Sequence, residues 1–335
     1  MTMRQAVLIK KEKIVIQEAK EDIIGEEEVL IQTKAVTICG SDIRYFRADS
    51  LPYHLKYPLV LGHEASGIIL KTGRKVTNVR EGDRVCIEPG IWCGKCKNCK
   101  KGVYNFCENL KFMASKGTPG ALQEKIVWPS KCVFKLGAKL SYADGALVEP
   151  LSVVYSALEN ADPGSKQSVL VLGAGSLGFL AAVLLKKINP QIAITFVDLW
   201  EEKMEMGVKI GFKKSQFCIK NNDLKGTFDM VVDFVGSSKL LKRFYPNLMP
   251  GCDWILVGIS DDVINIPFKD LINKGINIRS SYRYCNTYPK VLKFLEDGIE
   301  NIDKIITHCF AFEDVQKAFL TAANSHEALK VLIEF

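Results

Sequence analysis

The stretch from Ser168 to Asp198 constrains the fold more than any other part of this chain. Ser168-Val169-Leu170-Val171-Leu172 reads as a short buried strand and Gly173-Ala174-Gly175-Ser176-Leu177-Gly178 as a glycine-rich turn. Phe179 to Lys187 is an apolar helix that stops before Pro190, and Ile192 to Val197 is a second strand ending on Asp198, twenty residues beyond Gly178. A G-x-G-x-x-G alone is weak evidence. Strand, glycine turn, helix, strand and terminal acid in that order form a unit in which the turn and helix N-terminus hold a pyrophosphate and the acid takes a ribose hydroxyl.

The alternation continues downstream. Glu201 to Ile210 is a helix ended by Gly211, Phe228 to Val235 a strand, Lys239 to Leu248 a helix, Trp254 to Ile259 a strand and Ile276 to Ser281 another. Alternating strands and helices imply a parallel sheet covered on both faces. Gln167 to Leu185 carries no charge, but Gly173, Gly175 and Gly178 interrupt it. A strand, tight turn and buried helix explain it better than a membrane span.

From Met3 to about Val148 the chain reads instead as short strands between turns, among them Ala6-Val7-Leu8-Ile9, Val29-Leu30-Ile31, Ser66-Gly67-Ile68-Ile69-Leu70 and Arg84-Val85-Cys86-Ile87. Cys39, His63 and Glu64 fall on the connections and strand ends of this β-rich part, where functional groups are usually carried. Thiolate, imidazole and carboxylate suit a catalytic zinc with one position left open. Cys93, Cys96, Cys99 and Cys107 have the spacing of a chelate loop around one tetrahedral zinc, a filled and therefore structural site. Lys95, Lys97, Lys100 and Lys101 lie where they offset its negative charge. Between Ser141 and Ala161 the pattern is helical, with Ser141 or Asp144 as cap, and Glu149 falls early in it. After Asn286 come a helix from Tyr288 to Leu295, a strand near Ile305, a helix from Val315 to Ala323 and a strand from Leu329 to Ile333; the last is expected to return to the first domain.

Composition narrows the functional classes. The charge of +7, from 45 Lys+Arg against 38 Asp+Glu, is spread without a basic stripe, which argues against nucleic acid as partner. Met1-Thr2-Met3-Arg4-Gln5 lacks the apolar core of a signal peptide, and eleven cysteines then point to metal or free thiols in the cytoplasm rather than to disulfides.

Together these residues resemble the zinc-dependent medium-chain dehydrogenase/reductase family. The Gly62 to Gly67 run, Val148-Glu149-Pro150-Leu151-Ser152-Val153 and above all Tyr282-Arg283-Tyr284-Cys285-Asn286-Thr287-Tyr288-Pro289 are similar to its sorbitol (polyol) dehydrogenase branch. The resemblance implies an α/β chain: a GroES-like β-rich catalytic domain over residues 1–150 and 286–335, and a Rossmann doubly wound parallel sheet over 151–285 that binds the nucleotide. It implies two zinc ions per chain, the catalytic one on Cys39, His63 and either Glu64 or Glu149, with the other carboxylate working through water or touching substrate. Tyr45, Glu149, Arg283 and Tyr284 match substrate contacts; Gly173, Gly175, Leu177, Gly178, Asp198, Lys203, Val257, Gly258, Ile259 and Arg283 match cofactor contacts.

The implied reaction is oxidation of a secondary hydroxyl of a polyol to a ketose, with hydride passing to a nicotinamide. Asp198, followed by Leu199 and Trp200, disfavours a 2′-phosphate, so NAD is expected; Lys203 makes NADP the alternative. Arg44 stands where the wider family has a relaying histidine, and an arginine stays protonated. Proton release is therefore expected through metal-bound water and a carboxylate, Glu64 or Glu149, with Ser41 as a hydrogen-bonding helper. Alternatives are a dehydrogenase of a phosphorylated polyol or simple alcohol, for which Arg44, Arg47 and Arg283 supply cations, and a nicotinamide-binding protein without turnover. The family likeness also implies a homodimer or homotetramer, with no membrane partner.

Overall fold

A computed structural model describes residues 2–51, 55–115, 117–219, 224–260, 263 and 268–335. The chain divides into two units, one of Met1–Pro150, Cys285–Gly298 and Ile306–Phe335, the other of Leu151–Tyr284 and Ile299–Ile305. The division falls at Pro150, inside the helix Tyr142–Glu159. Ser141 and Asp144 both cap that helix, the Ser141 N–H donating to the Asp144 carboxylate at 2.7 Å and the Asp144 N–H to Ser141 Oγ at 3.0 Å.

In the first unit a mixed sheet runs in the spatial order Val133–Lys135, Arg84–Ile87, Glu64–Thr72, Glu28–Thr37, Lys330–Glu334, Ile306–Ala311, with Lys125–Pro129 pairing against Glu28–Thr37. The final strand pairs with Glu28–Thr37 and so joins the first unit, where it is expected. The central strand Glu28–Thr37 buries Val29, Leu30, Ile31, Ala35 and Val36 together with Thr33 and Thr37, and Val29, Ile31 and Val36 join Phe46, Trp128, Phe312 and Phe319 in one core. Leu332 pairs with Thr37 on one side, and Thr37 pairs with Glu64 on the other. Three adjacent strands therefore bring widely separated residues level with each other. The strand Lys13–Lys20, not among those read from sequence although Ile14-Val15-Ile16 is a β-branched run, pairs antiparallel with Thr2–Lys10.

The second unit is a six-stranded parallel sheet in the spatial order Phe217–Ile219, Ala193–Asp198, Ser168–Leu172, Phe228–Asp233, Leu248–Leu256, Asn277–Ser280. The order reverses between Ser168–Leu172 and Phe228–Asp233, the doubly wound arrangement expected from sequence. The helix Ser176–Ile188 packs Phe179 against Phe196, and Phe196 stacks on Phe217 at 4.7 Å. Each such ring contributes about 2 kcal/mol by burial and fixes the helix over the first strand. Gly178 is required there, because a Cβ would lie 2.0 Å from the Gly173 carbonyl oxygen.

Two boundaries depart furthest from the sequence reading. The helix expected over Lys239 to Leu248 ends at Phe244, because Pro246 disfavours helical geometry in the residue before it and cannot donate a backbone bond. The strand expected from Trp254 to Ile259 covers Leu248–Leu256, since the Val257 and Gly258 N–H groups both turn back to the Asp233 carbonyl at 2.9 Å. Val257, Gly258 and Ile259 thus lie in the loop at the carboxyl end of the sheet. No helix among the described residues is long and apolar enough to cross a membrane.

Candidate metal centres and active site

Cys39 ends the strand-to-helix connection and N-caps the helix Gly40–Arg47. Asp42, buried in the first turn of that helix, accepts the Cys39 N–H at 3.0 Å and the Gly62 N–H at 3.0 Å. One carboxylate therefore pins both segments that carry the candidate ligands. Gly62 has φ +88°, a left-handed turn that delivers His63 and Glu64 into the strand Glu64–Thr72. Asp42 also lies 3.6 Å from His63 Nδ1. This favours a proton on Nδ1 and leaves Nε2 to bind a metal. Burial opposes a charged imidazole, but Asp42 and Cys39 outweigh it and hold His63 well above the ordinary range.

The ligand atoms of Cys39, His63 and Glu64 lie within 4.8 Å of one another. Glu149 is not in this close group, although it is buried in the same unit and its charge is felt by Lys330. Both Glu64 oxygens accept from Lys330 Nζ, the Oε2 contact at 2.6 Å, and Thr37 Oγ1 donates to Oε2 as well. Glu64 and Lys330 are each only 1% exposed. Burial works against the ammonium, and Glu64 and then Cys39 raise its pKa above the usual lysine value. Asp42, Thr37 and Lys330 are not among the site residues expected from sequence. A lysine within Leu329-Lys330-Val331-Leu332-Ile333 was the available signal, since a charge inside a buried apolar strand requires a partner.

The other predicted residues are placed as follows. Ser41 and Tyr45 are half-buried on the helix Gly40–Arg47, and Tyr45 packs against the core. Arg44 is exposed, whereas Arg47 bonds the Asn324 side chain at 2.7 Å. In the second unit Arg283 has φ +53° and lies over the Tyr282 ring at 5.1 Å, and Tyr284 is buried.

In the four-cysteine loop the Sγ atoms of Cys93, Cys96, Cys99 and Cys107 lie within 4.8 Å of one another, with Cys93 and Cys99 3.9 Å apart and Cys96 and Cys107 4.0 Å apart. A tetrahedron with Zn–S bonds of about 2.3 Å has S···S edges of about 3.8 Å, so the spacing fits zinc closely. N–H groups of Lys95 and Cys96 lower the Cys93 thiol to about 6, which favours the thiolate a metal needs. Lys95, Lys97, Lys100 and Lys101 are all exposed.

At the glycine turn, Gly175 N-caps the helix Ser176–Ile188 and its N–H groups open toward the carboxyl end of the sheet. Asp198 Oδ2 accepts the Ala174 N–H at 2.8 Å, and Oδ1 accepts the Leu199 N–H at 2.7 Å. The acid is thus locked to the turn. Burial lowers the pKa of Lys203, with Asp198 opposing.

A mixed sheet with a thiolate, imidazole and carboxylate cluster, a separate four-thiolate loop and a dinucleotide unit together define a metal-dependent dehydrogenase. Residues 25–138 match the Alcohol dehydrogenase GroES-like domain. The chain is 33% identical to L-idonate 5-dehydrogenase of Vitis vinifera over 92% of its length and 88% of that protein. It is 32% identical to sorbitol dehydrogenase of Arabidopsis thaliana over 92% and 89% of the two chains. A crystal structure of an alcohol dehydrogenase from Escherichia coli CFT073 complexed with NADH superposes with a TM-score of 0.91, at 26% identity and covering 100% and 99% of the two chains. The chain belongs to the zinc-dependent medium-chain dehydrogenase/reductase family, in its polyol dehydrogenase branch.

Proposed function

We propose that this protein oxidises a secondary hydroxyl of a polyol to a ketose, with NAD as hydride acceptor. The carrying observation is the convergence of Cys39, His63 and Glu64 in a chain whose relatives are named for sorbitol and L-idonate. Zinc would be held by Cys39, His63 and a carboxylate, with a second zinc on Cys93, Cys96, Cys99 and Cys107. The catalytic metal supplies a Lewis acid that lowers the pKa of the substrate hydroxyl, and the nicotinamide takes the hydride.

The protein's own groups do the rest. Asp42 orients His63, and Lys330 with Thr37 fixes the Glu64 carboxylate so that its charge does not fully oppose the metal's. With Glu64 engaged in this way, Glu149 is the carboxylate proposed to take the substrate proton and contact the polyol, helped by Ser41. Tyr45, Arg283 and Tyr284 contact substrate. Gly173, Gly175, Leu177, Gly178, Lys203, Val257, Gly258, Ile259 and Arg283 contact the cofactor, and Asp198 bonds its ribose.

The edge strand Asn277–Ser280 is exposed at all its positions, Ile278 included, which supports a homodimer or homotetramer joined through this edge. Eleven free cysteines suit a reducing cytoplasm. The deciding experiment is a panel of polyols, phosphorylated polyols and simple alcohols run with NAD and NADP beside zinc analysis. Metal-loaded protein that reduces neither cofactor with any of them overturns the enzymatic reading.

A further inference from the structure

The segment Tyr282 to Pro289 stands out in sequence for its likeness to polyol dehydrogenases, yet its second half is built into the four-cysteine loop. Gly102 and Tyr104 belong to that loop, between Cys99 and Cys107. The Gly102 carbonyl accepts from Cys285 Sγ at 3.3 Å and from Asn286 Nδ2 at 3.3 Å. The Tyr104 hydroxyl accepts the Asn286 N–H at 2.7 Å and donates its proton to Glu88 Oε1 at 2.8 Å. Each bond polarises the next, so the pair is stronger than either bond alone. Trp92 stacks on the Tyr104 ring at 4.1 Å and fixes its plane.

Asn286 has a left-handed conformation, φ +57°, a region asparagine enters more readily than other side-chain-bearing residues, and the bonds to Gly102 and Tyr104 hold it there. Thr287, though buried, has no hydrogen-bond partner for its Oγ1 among the described residues. Tyr288 donates to the Ile87 carbonyl at 2.9 Å. Residues 285–288 are therefore held at two points of the first unit. One is the sheet at Ile87. The other is the loop that a metal closes between Cys99 and Cys107.

We propose that Tyr104 is a positioning residue: through its hydroxyl the metal-filled cysteine loop fixes Asn286, and thereby the backbone that continues directly into Tyr284 and Arg283. The loop is then more than a local staple. Loss of its metal frees Gly102 and Tyr104 and lets the left-handed turn at Asn286 relax. The effect on substrate binding rests on the roles given above to Arg283 and Tyr284, but the effect on Asn286 does not.

The test is amide hydrogen exchange over residues 280–290 in the metal-loaded protein, Tyr104→Phe and Cys96→Ser. Tyr104→Phe keeps the ring and its stack and removes only the hydroxyl. Both variants are expected to speed exchange of the Asn286 amide about tenfold, the scale of one lost hydrogen bond. Exchange in the strand Ser168–Leu172 should stay unchanged, and Tyr104→Phe should retain the loop metal. In polyol oxidation both variants should raise KM about tenfold and leave kcat within about twofold, a split that general destabilisation does not produce. An unchanged Asn286 amide in Tyr104→Phe, or faster exchange everywhere at once, overturns the proposal. If the parent protein oxidises no polyol, the assigned function fails, and the amide measurement still decides the role of Tyr104.

Discussion

Lys330 Nζ lies 2.6 Å from Glu64 Oε2, and both side chains are almost wholly buried. Their partnership is set by sheet register: Glu64 and Leu332 both pair with Thr37, from opposite sides, which leaves Lys330 two residues from Leu332 along the strand Lys330–Glu334. A buried ion pair of this kind is not strong evidence of net stabilisation, but losing one partner leaves the other charge without compensation.

Lys330→Met should therefore destabilise the metal-loaded protein by about 3–5 kcal/mol. Denaturant unfolding of parent and variant checks this. Glu64→Gln replaces one of the two oxygens that accept from Lys330 Nζ with a donor and leaves the buried ammonium without its counter-charge, so it should destabilise the protein as well. Equal midpoints for Lys330→Met and parent would show that the pair carries no such energy.

Glu88 gives a pH prediction. It is 2% exposed, and burial first, then the charge of Glu149, raise its pKa to about 7, while the Tyr104 hydrogen bond pulls the other way. Below the unfolded pKa, about 4.3, the carboxyl is protonated in both states and has no pH-dependent effect. As pH rises from there toward 7, the unfolded chain releases the proton while the native state keeps it, so stability falls. The loss levels off above 7 at about 4 kcal/mol. Glu88→Gln lacks this penalty, so its stability relative to parent should climb between pH 5 and pH 8. A flat difference across that range would falsify the assignment.

Asp42→Asn tests the positioning of His63. The amide keeps the size of the carboxylate but loses the charge beside Nδ1 and one of the two acceptors that hold the Cys39 and Gly62 N–H groups. Groups that orient a metal-bound imidazole are typically worth 10–100-fold in affinity, so metal binding at Cys39 and His63 should weaken by about that factor. Competition with a chromophoric chelator should show one weakened site and one unchanged, the unchanged one being the four-cysteine loop. If both sites weaken equally, Asp42 acts on the fold and not on His63.

These cases show what the sequence could and could not convey. The glycine turn, Asp198, the cysteine loop and the Cys39, His63 and Glu64 set were legible because each is a local pattern, or a residue type with few structural uses. Lys330 meets Glu64 across 266 residues and Asn286 meets Tyr104 across 182, and no local spacing encodes either meeting. Sheet order and register make those pairs. The likeness of Tyr282 to Pro289 to polyol dehydrogenases pointed to substrate, whereas the structure shows that its Cys285 to Tyr288 half makes contacts inside the first unit. The helix end at Phe244 was written in Pro246, and the apolar run around it obscured that signal.

Glu149→Gln separates proton transfer from metal binding. Glu64 is already occupied by Lys330 and Thr37, and Glu149 is not among the atoms that close to within 4.8 Å of Cys39 and His63. The isosteric amide keeps hydrogen bonding but cannot accept the substrate proton at neutral pH. Turnover should fall by about 100-fold, the lower range for loss of a general base. Zinc content by elemental analysis should remain near that of the parent. Loss of zinc in proportion to loss of rate would instead make Glu149 a ligand, with Glu64 left to its pairing with Lys330. An unchanged rate would remove Glu149 from the proton path altogether.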